Sequence, residues 1–235
     1  MAAQDPVSEQ PVGGAVPSRS RLILASASPR RAALLREWHY DFIVVPAGID
    51  EESCPAGMPP IEQARWLSFR KAQHVAQTHP ADVVLGADTV VAFGDQSLGK
   101  PADAEDARRM LALLSGTTHI VITGVTVICR ETGFTDSAAV MSAVRMRALS
   151  PQEIDAYVAS GRWQGKAGAY GIQDDDPFVV RVSGSHTNIV GLPMETVCRM
   201  LEKAGILPQR PVAIADGGAP QPDEKQPADL PEAGS

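Results

Sequence analysis

Apolar positions along this chain follow two rhythms. Runs at 22–25, 41–45, 82–93, 118–129, 134–147 and 178–182 are rich in Val, Ile, Leu and Thr, and turn residues bound several of them. These runs predict strands. Other segments repeat every three or four residues and predict helices. Ala32 to Trp38 sets Leu34, Leu35 and Trp38 on one face, with Ser28 as N-cap and Pro29 at the first helical position. A second helix is expected over 60–77, where Ile61, Ala64, Leu67, Val75 and Ala76 fit an amphipathic pattern. A third is capped by Asp103, carries Ala107, Met110, Leu111 and Leu114 at helical spacing, and ends at Gly116. A fourth opens on the capping box Ser150-Pro151-Gln152-Glu153 and stops near Gly161. The last begins at Pro193 and turns Val197, Met200 and Leu201 inward. The strands at 118–129 and 134–147 flank Glu131-Thr132-Gly133 and should pair antiparallel.

Two places break the pattern. Asp88 interrupts an apolar run that reads as buried on both faces. A carboxylate there costs several kcal/mol unless it has a partner, a metal or a catalytic use. A backbone turn that takes its hydrogen bond is the structural alternative. The second break is Arg30-Arg31 in the first turn of a helix, where the helix dipole disfavours cations. With the hydroxyls of Ser26 and Ser28 and the free N–H groups of the helix start, the arginines suit a highly charged anion. Solvated arginines on an exposed cap are the plainer account.

Other stretches carry weaker signals. Ile49-Asp50-Glu51-Glu52 is an acidic loop after a strand, usually just solvated, though hard cations want such oxygens. Lys71 alone is an ordinary helix lysine. Gly94 to Lys100 matches seven places of a phosphate-binding P-loop, but the eighth is Pro101. Proline offers neither the hydroxyl nor the N–H that the motif requires, which argues against a P-loop while leaving Lys100 able to reach a phosphate. The stretch from Lys166 to Gln173 is punctuated by glycines that admit a ligand close to the backbone, and Gln173 could read a base edge.

Composition narrows the function. The formal net charge of −7 argues against non-specific nucleic-acid binding, so an anionic substrate needs a local basic cluster. No run approaches the ~20 apolar residues of a membrane span. Cys54, Cys129 and Cys198 show no metal-ligand spacing and read as reduced thiols of a cytoplasmic protein. Residues 1–20 and 208–235 lack apolar runs and read as disordered tails around one domain at 21–207.

Taken together, five motifs resemble the Maf family of nucleoside triphosphate pyrophosphatases. They are Ser26 to Arg31, Gly86 to Val90, Gly99-Lys100-Pro101, Lys166 to Gln173 and Val190 to Pro193, in order over about 21–205. The resemblance implies an α/β fold, with a twisted mixed β-sheet flanked by helices and two lobes around a central cleft. It implies hydrolysis to the monophosphate and pyrophosphate with a divalent metal, Mg or Mn, and often a homodimer. The residue matching Asp88 is the family's proton acceptor. Arg30, Thr89 and Gln173 match the branch that prefers dTTP and UTP. Ser26, Arg31, Glu51, Lys71 and Lys100 match further polar positions of the family's cleft. Members of this branch often follow the glutamine with glycine, where this chain has Asp174-Asp175-Asp176.

The expected chemistry follows from the charges. Arg30, Arg31, Lys71, Lys100 and the N–H groups near Ser28 neutralise a triphosphate. A metal would be held by Glu51 and Asp88, and Asp88 would activate a water for attack at the α-phosphorus. A nucleotide-binding regulator of cell division without turnover, and a pyrophosphatase for a purine or modified nucleotide, are the rival readings.

Overall fold

A computed structural model describes residues 20–173 and 178–210. Most of the two expected tails, and Asp174-Asp175-Asp176, lie outside the described residues. The strands are β1 (Leu22–Leu24), β2 (Phe42–Val44), β3 (Val83–Phe93), β4 (Gln96–Leu98), β5 (Thr118–Cys129), β6 (Phe134–Met146) and β7 (Val179–Ser183). The helices are α1 (Pro29–Glu37), α2 (Pro60–Thr78), α3 (Ala104–Leu114), α4 (Pro151–Ala159), α5 (His186–Val190) and α6 (Met194–Lys203). One mixed sheet of seven strands runs β2-β1-β3-β5-β6-β7, with β4 paired to β3. This is the expected mixed α/β architecture. β1 and β2 run parallel to the start of β3, and the rest of the sheet is antiparallel.

Local sequence accounts for most element ends. Asp103 accepts the N–H of Asp106, and Ser150 with Glu153 closes the capping box. Ser28 departs from expectation. It holds the N-cap position of α1 without a side-chain cap bond, and its own N–H donates to Ser26 Oγ at 3.2 Å. The P-loop look-alike is the tight hairpin between β3 and β4, which turns at Gly94-Asp95.

Two glycines let α2 lie directly on the sheet. A Cβ on Gly86 would come within 2.3 Å of the Ser68 carbonyl oxygen, and one on Gly124 within 2.1 Å of the Ala64 carbonyl oxygen. Only glycine permits that approach. α2 therefore covers the face of β3 that carries Gly86, Asp88 and Val90.

The opposite face carries two separate apolar clusters. Leu85 and Ala87 of β3 join Val125 and Val127 of β5, together with Leu34, Leu35 and Trp38 of the α1 region and Val197 and Leu201 of α6. Further along, Val91 and Val121 join Met110 and Leu111 of α3 and Ile154 and Tyr157 of α4. Thr89 and Thr123, paired across β3 and β5, fall between the clusters. Ser142 continues this polar seam onto β6, and the buried Asn188 of α5 closes it by donating to Ser142 Oγ (2.9 Å) and the Val121 carbonyl (3.2 Å).

Candidate active site

β1 pairs with β3 only over Val83 to Leu85, and β4 takes up the same edge only from Val91. Between them, residues 86–90 have no strand partner on that side. A cavity of about 500 Å³ opens along this gap. The chain leaves β1 for α1 on one face of the sheet and returns to β3 through α2 on the other. The cavity thus lies near the switch point beyond the carboxyl end of β1, where ligands of open α/β sheets bind. Because side chains alternate along a strand, Asp88 and Thr89 enter from opposite faces.

The Asp88 wall is ionic. Asp88 is buried, 5% exposed. Lys71, delivered by α2, places Nζ 2.5 Å from Asp88 Oδ1 and 2.7 Å from Glu51 Oε1. Lys100 reaches both Glu51 oxygens at 3.2 Å from the more exposed side. Partial burial works to raise the Glu51 pKa, but the hydrogen bonds and charges of Lys71 and Lys100 bring it below the usual carboxylate value. A buried ion pair is weak evidence of stabilisation, because desolvation offsets much of the attraction.

The Thr89 wall is a hydrogen-bonded lattice. Arg31 donates from Nε to the Gly191 carbonyl (2.7 Å), from Nη1 to Ser26 Oγ (3.0 Å) and from Nη2 to Thr89 Oγ1 (3.0 Å). Its burial lowers its pKa from the ordinary arginine value, while the charge of Asp88 acts in the opposite direction. These contacts resolve the apparent misplacement of a cation at a helix start, since the guanidinium turns onto a carbonyl and two hydroxyls. Gly191 has φ +118°, and a Cβ there would sit 3.4 Å from Thr89 Oγ1. Arg30 reaches the loop before Lys166, donating from Nη2 to the Gly165 carbonyl at 2.9 Å. Val91, Val121, Tyr170 and Ile189 supply apolar lining.

The donor set can accommodate a hard cation. Glu51 and Asp88 already converge on one positive centre, the Lys71 ammonium. Mg²⁺ commonly takes one or two carboxylates and completes its shell with water and phosphate oxygen. Among the described residues, no group of three or more His, Cys, Asp and Glu gathers as a self-sufficient metal site.

The family model for Maf-like protein matches residues 21–204. The chain belongs to the Maf family. It is 44% identical over 188 residues to the dTTP/UTP pyrophosphatase of Syntrophus aciditrophicus (strain SB), covering 80% of this chain and 91% of that one. It is 46% identical over 189 residues to the dTTP/UTP pyrophosphatase of Anaeromyxobacter sp. (strain Fw109-5), covering 79% and 90%. The protein of the same description from Vibrio cholerae is 45% identical over 186 residues, covering 78% and 98%.

In this Maf chain, Ser26, Ser28, Arg30, Arg31, Glu51, Lys71, Asp88, Thr89, Lys100 and Gln173 all line the one cavity. Their first partners differ from those expected. Arg31 spends three donors on the protein, and Glu51 and Asp88 share a lysine. Sequence reasoning gave no role to Lys166, a buried lysine of the lining, or to Gln164. It also passed over His119, whose Nε2 lies 2.7 Å from the hydroxyl of Tyr170 in the glycine-punctuated loop. A histidine inside a β-branched strand was the available signal. Burial pushes that histidine down to about 4.

Proposed function

We propose that this protein hydrolyses dTTP and UTP to the monophosphate and pyrophosphate. The observation that carries the reading is the meeting of Asp88, Lys71, Glu51 and Lys100 on one side of a cavity whose other side holds Arg31 and Thr89. That cavity has the charge for a triphosphate and an apolar lining for a base. The similarity to dTTP/UTP pyrophosphatases supports the same substrates.

In this mechanism the incoming phosphates exchange partners with the ion pairs. Lys71 and Lys100 swap Glu51 and Asp88 oxygens for phosphate oxygens, joined by Arg30 and by the N–H groups at the start of α1. Ser26 and Ser28 offer hydroxyls at the same mouth. Asp88, released from Lys71, accepts the proton of a water directed at the α-phosphorus. Glu51 and Asp88 would hold a divalent cation, Mg or Mn, which when bound acidifies water and offsets phosphate charge. Pyrophosphate leaves with its charge already clamped. Gln173 reads the base, with Arg30 and Thr89 completing the preference. Among the described residues no helix is long and apolar enough to cross a membrane. We place the enzyme in the cytoplasm, with no nucleic-acid partner. A homodimer belongs to the same reading, and light scattering of the purified protein tests it.

The decisive experiment is a panel of canonical and modified nucleoside triphosphates with both products identified. Monophosphate and pyrophosphate should appear fastest from dTTP or UTP. Tight binding without turnover would overturn the reading in favour of a regulator, and orthophosphate as product would exclude attack at the α-phosphorus. A purine or modified nucleotide as best substrate would move the base preference alone.

A further inference from the structure

Thr123 does not line the cavity and is fully buried. It lies directly opposite Thr89 in the β3–β5 register. Their hydroxyl oxygens are 2.9 Å apart, a contact in which either could donate. The surroundings decide the direction. Thr123 Oγ1 is 3.1 Å from the Asn188 carbonyl oxygen, which can only accept. A hydroxyl has one proton. If Thr123 gave it to Thr89, two bare oxygens would face each other at Asn188. One arrangement satisfies every contact: Arg31 donates to Thr89, Thr89 to Thr123, and Thr123 to Asn188. The proton of Thr89 is thereby directed into the sheet. What it has left for a ligand is one lone pair.

We propose that Thr123 is a positioning residue that fixes Thr89 as a hydrogen-bond acceptor in the cleft, and that this acceptor takes the imide N3–H of a uracil or thymine base. The inference deepens the function proposed above and rests on it. An oxygen with no proton to offer cannot bond phosphate oxygen, so the Thr89 hydroxyl faces a donor. Beside the Arg31 lattice, the lining on its side of β3 includes an apolar patch of Val91 and the facing Val121 with Ile189 and Tyr170, as suits the flat face of a base. Uracil and thymine carry an N–H between two carbonyls, whereas cytosine presents a bare ring nitrogen there. Against cytosine, two acceptors would meet. A site arranged to bond one polar group discriminates strongly against a ligand that lacks it, because its own polar atom is left unpaired.

The test measures kcat and KM for pyrophosphate release from UTP, dTTP and CTP on the full chain and on Thr123→Val and Thr123→Ser. Valine removes both bonds, and serine keeps them. The unaltered protein should favour UTP over CTP. Thr123→Val should contract the UTP:CTP ratio of kcat/KM by ~10-fold or more, chiefly through KM for UTP, and Thr123→Ser should preserve the ratio. On the unaltered protein, N3-methyl-UTP should be ~100-fold or more poorer than UTP, and this arm stands even if Thr123→Val does not fold. Equal losses for UTP and CTP in Thr123→Val would assign Thr123 a purely structural part, or give Thr89 to a sugar hydroxyl, and overturn the proposal. Ready turnover of N3-methyl-UTP would overturn it too. Comparable rates on UTP and CTP by the unaltered protein refute this inference and leave the pyrophosphatase reading intact. No pyrophosphate from any nucleotide defeats both.

Discussion

The two walls of the cleft are built from adjacent residues of one strand and solve opposite problems. On the α2 side, Asp88, Lys71, Glu51 and Lys100 form a chain of ion pairs, which the proposed mechanism hands over to a bound triphosphate. On the other side, Arg31, Thr89, Thr123 and Asn188 form a directional lattice with carbonyls and hydroxyls fixed by the sheet. The first wall stores charge in contacts that exchange. The second spends its polar groups on one another, so what it shows the ligand is set before the ligand arrives. In the proposed reaction, electrostatic stabilisation comes from the first and selectivity from the second.

Perturbing each wall should give different signatures. The largest effect should come from Asp88→Asn, which keeps the shape and removes the proposed base: kcat for dTTP should fall roughly 10³-fold or more with the native fold retained by circular dichroism. Near-normal turnover would remove Asp88 from the chemistry. Next is pH. His119 sits at about 4 when folded against 6.5 ordinarily, because burial disfavours its charge. Its contribution to stability is complete above about pH 6.5 and is lost as pH falls toward 4, since the unfolded chain takes the proton first. The full loss is about 3 kcal/mol. His119→Gln should flatten the fall in thermal midpoint between pH 7 and 5. An unchanged slope would assign that fall to other groups.

Arg31→Lys should cost about 2 kcal/mol in denaturant unfolding, because an ammonium cannot reproduce three bonds of a planar fork. A cost near zero would mean that the lattice is not what holds this wall. The smallest stability effect belongs to Lys100→Met. Its pair with Glu51 is half exposed, at 54% and 42% for the two side chains. Unfolding should therefore change by less than about 0.5 kcal/mol. KM for the triphosphate should nevertheless rise, and its salt dependence should weaken. A large stability loss without a change in KM would show Lys100 to be structural.

The longer elements were legible because periodicity and caps extend over many residues. β4, with three residues, and α5, with five, were not foreseen. Neither is long enough to show a period, and tertiary pairing supplies their reason to exist. The cleft residues were legible where a residue violated its surroundings, as Asp88 does in an apolar strand and the arginines do at a helix start. Thr123 violated nothing. A threonine in a β-branched strand looks ordinary until the register puts it opposite Thr89. Asn188 was hidden in the same way, with its burial set by α5. The partners of Arg31 also lay beyond reach, because Gly191 approaches it from far along the chain.

The pairing of β3 with β5 has a consequence for how the protein reaches working order. A slip of a single residue in that ladder would turn every side chain of β3 over. The carboxylate would be driven among leucines, and the threonine would be left facing an ammonium. Misaligned chains would therefore lose apolar packing and chemistry together, so a molecule that has found its fold has already placed its acid.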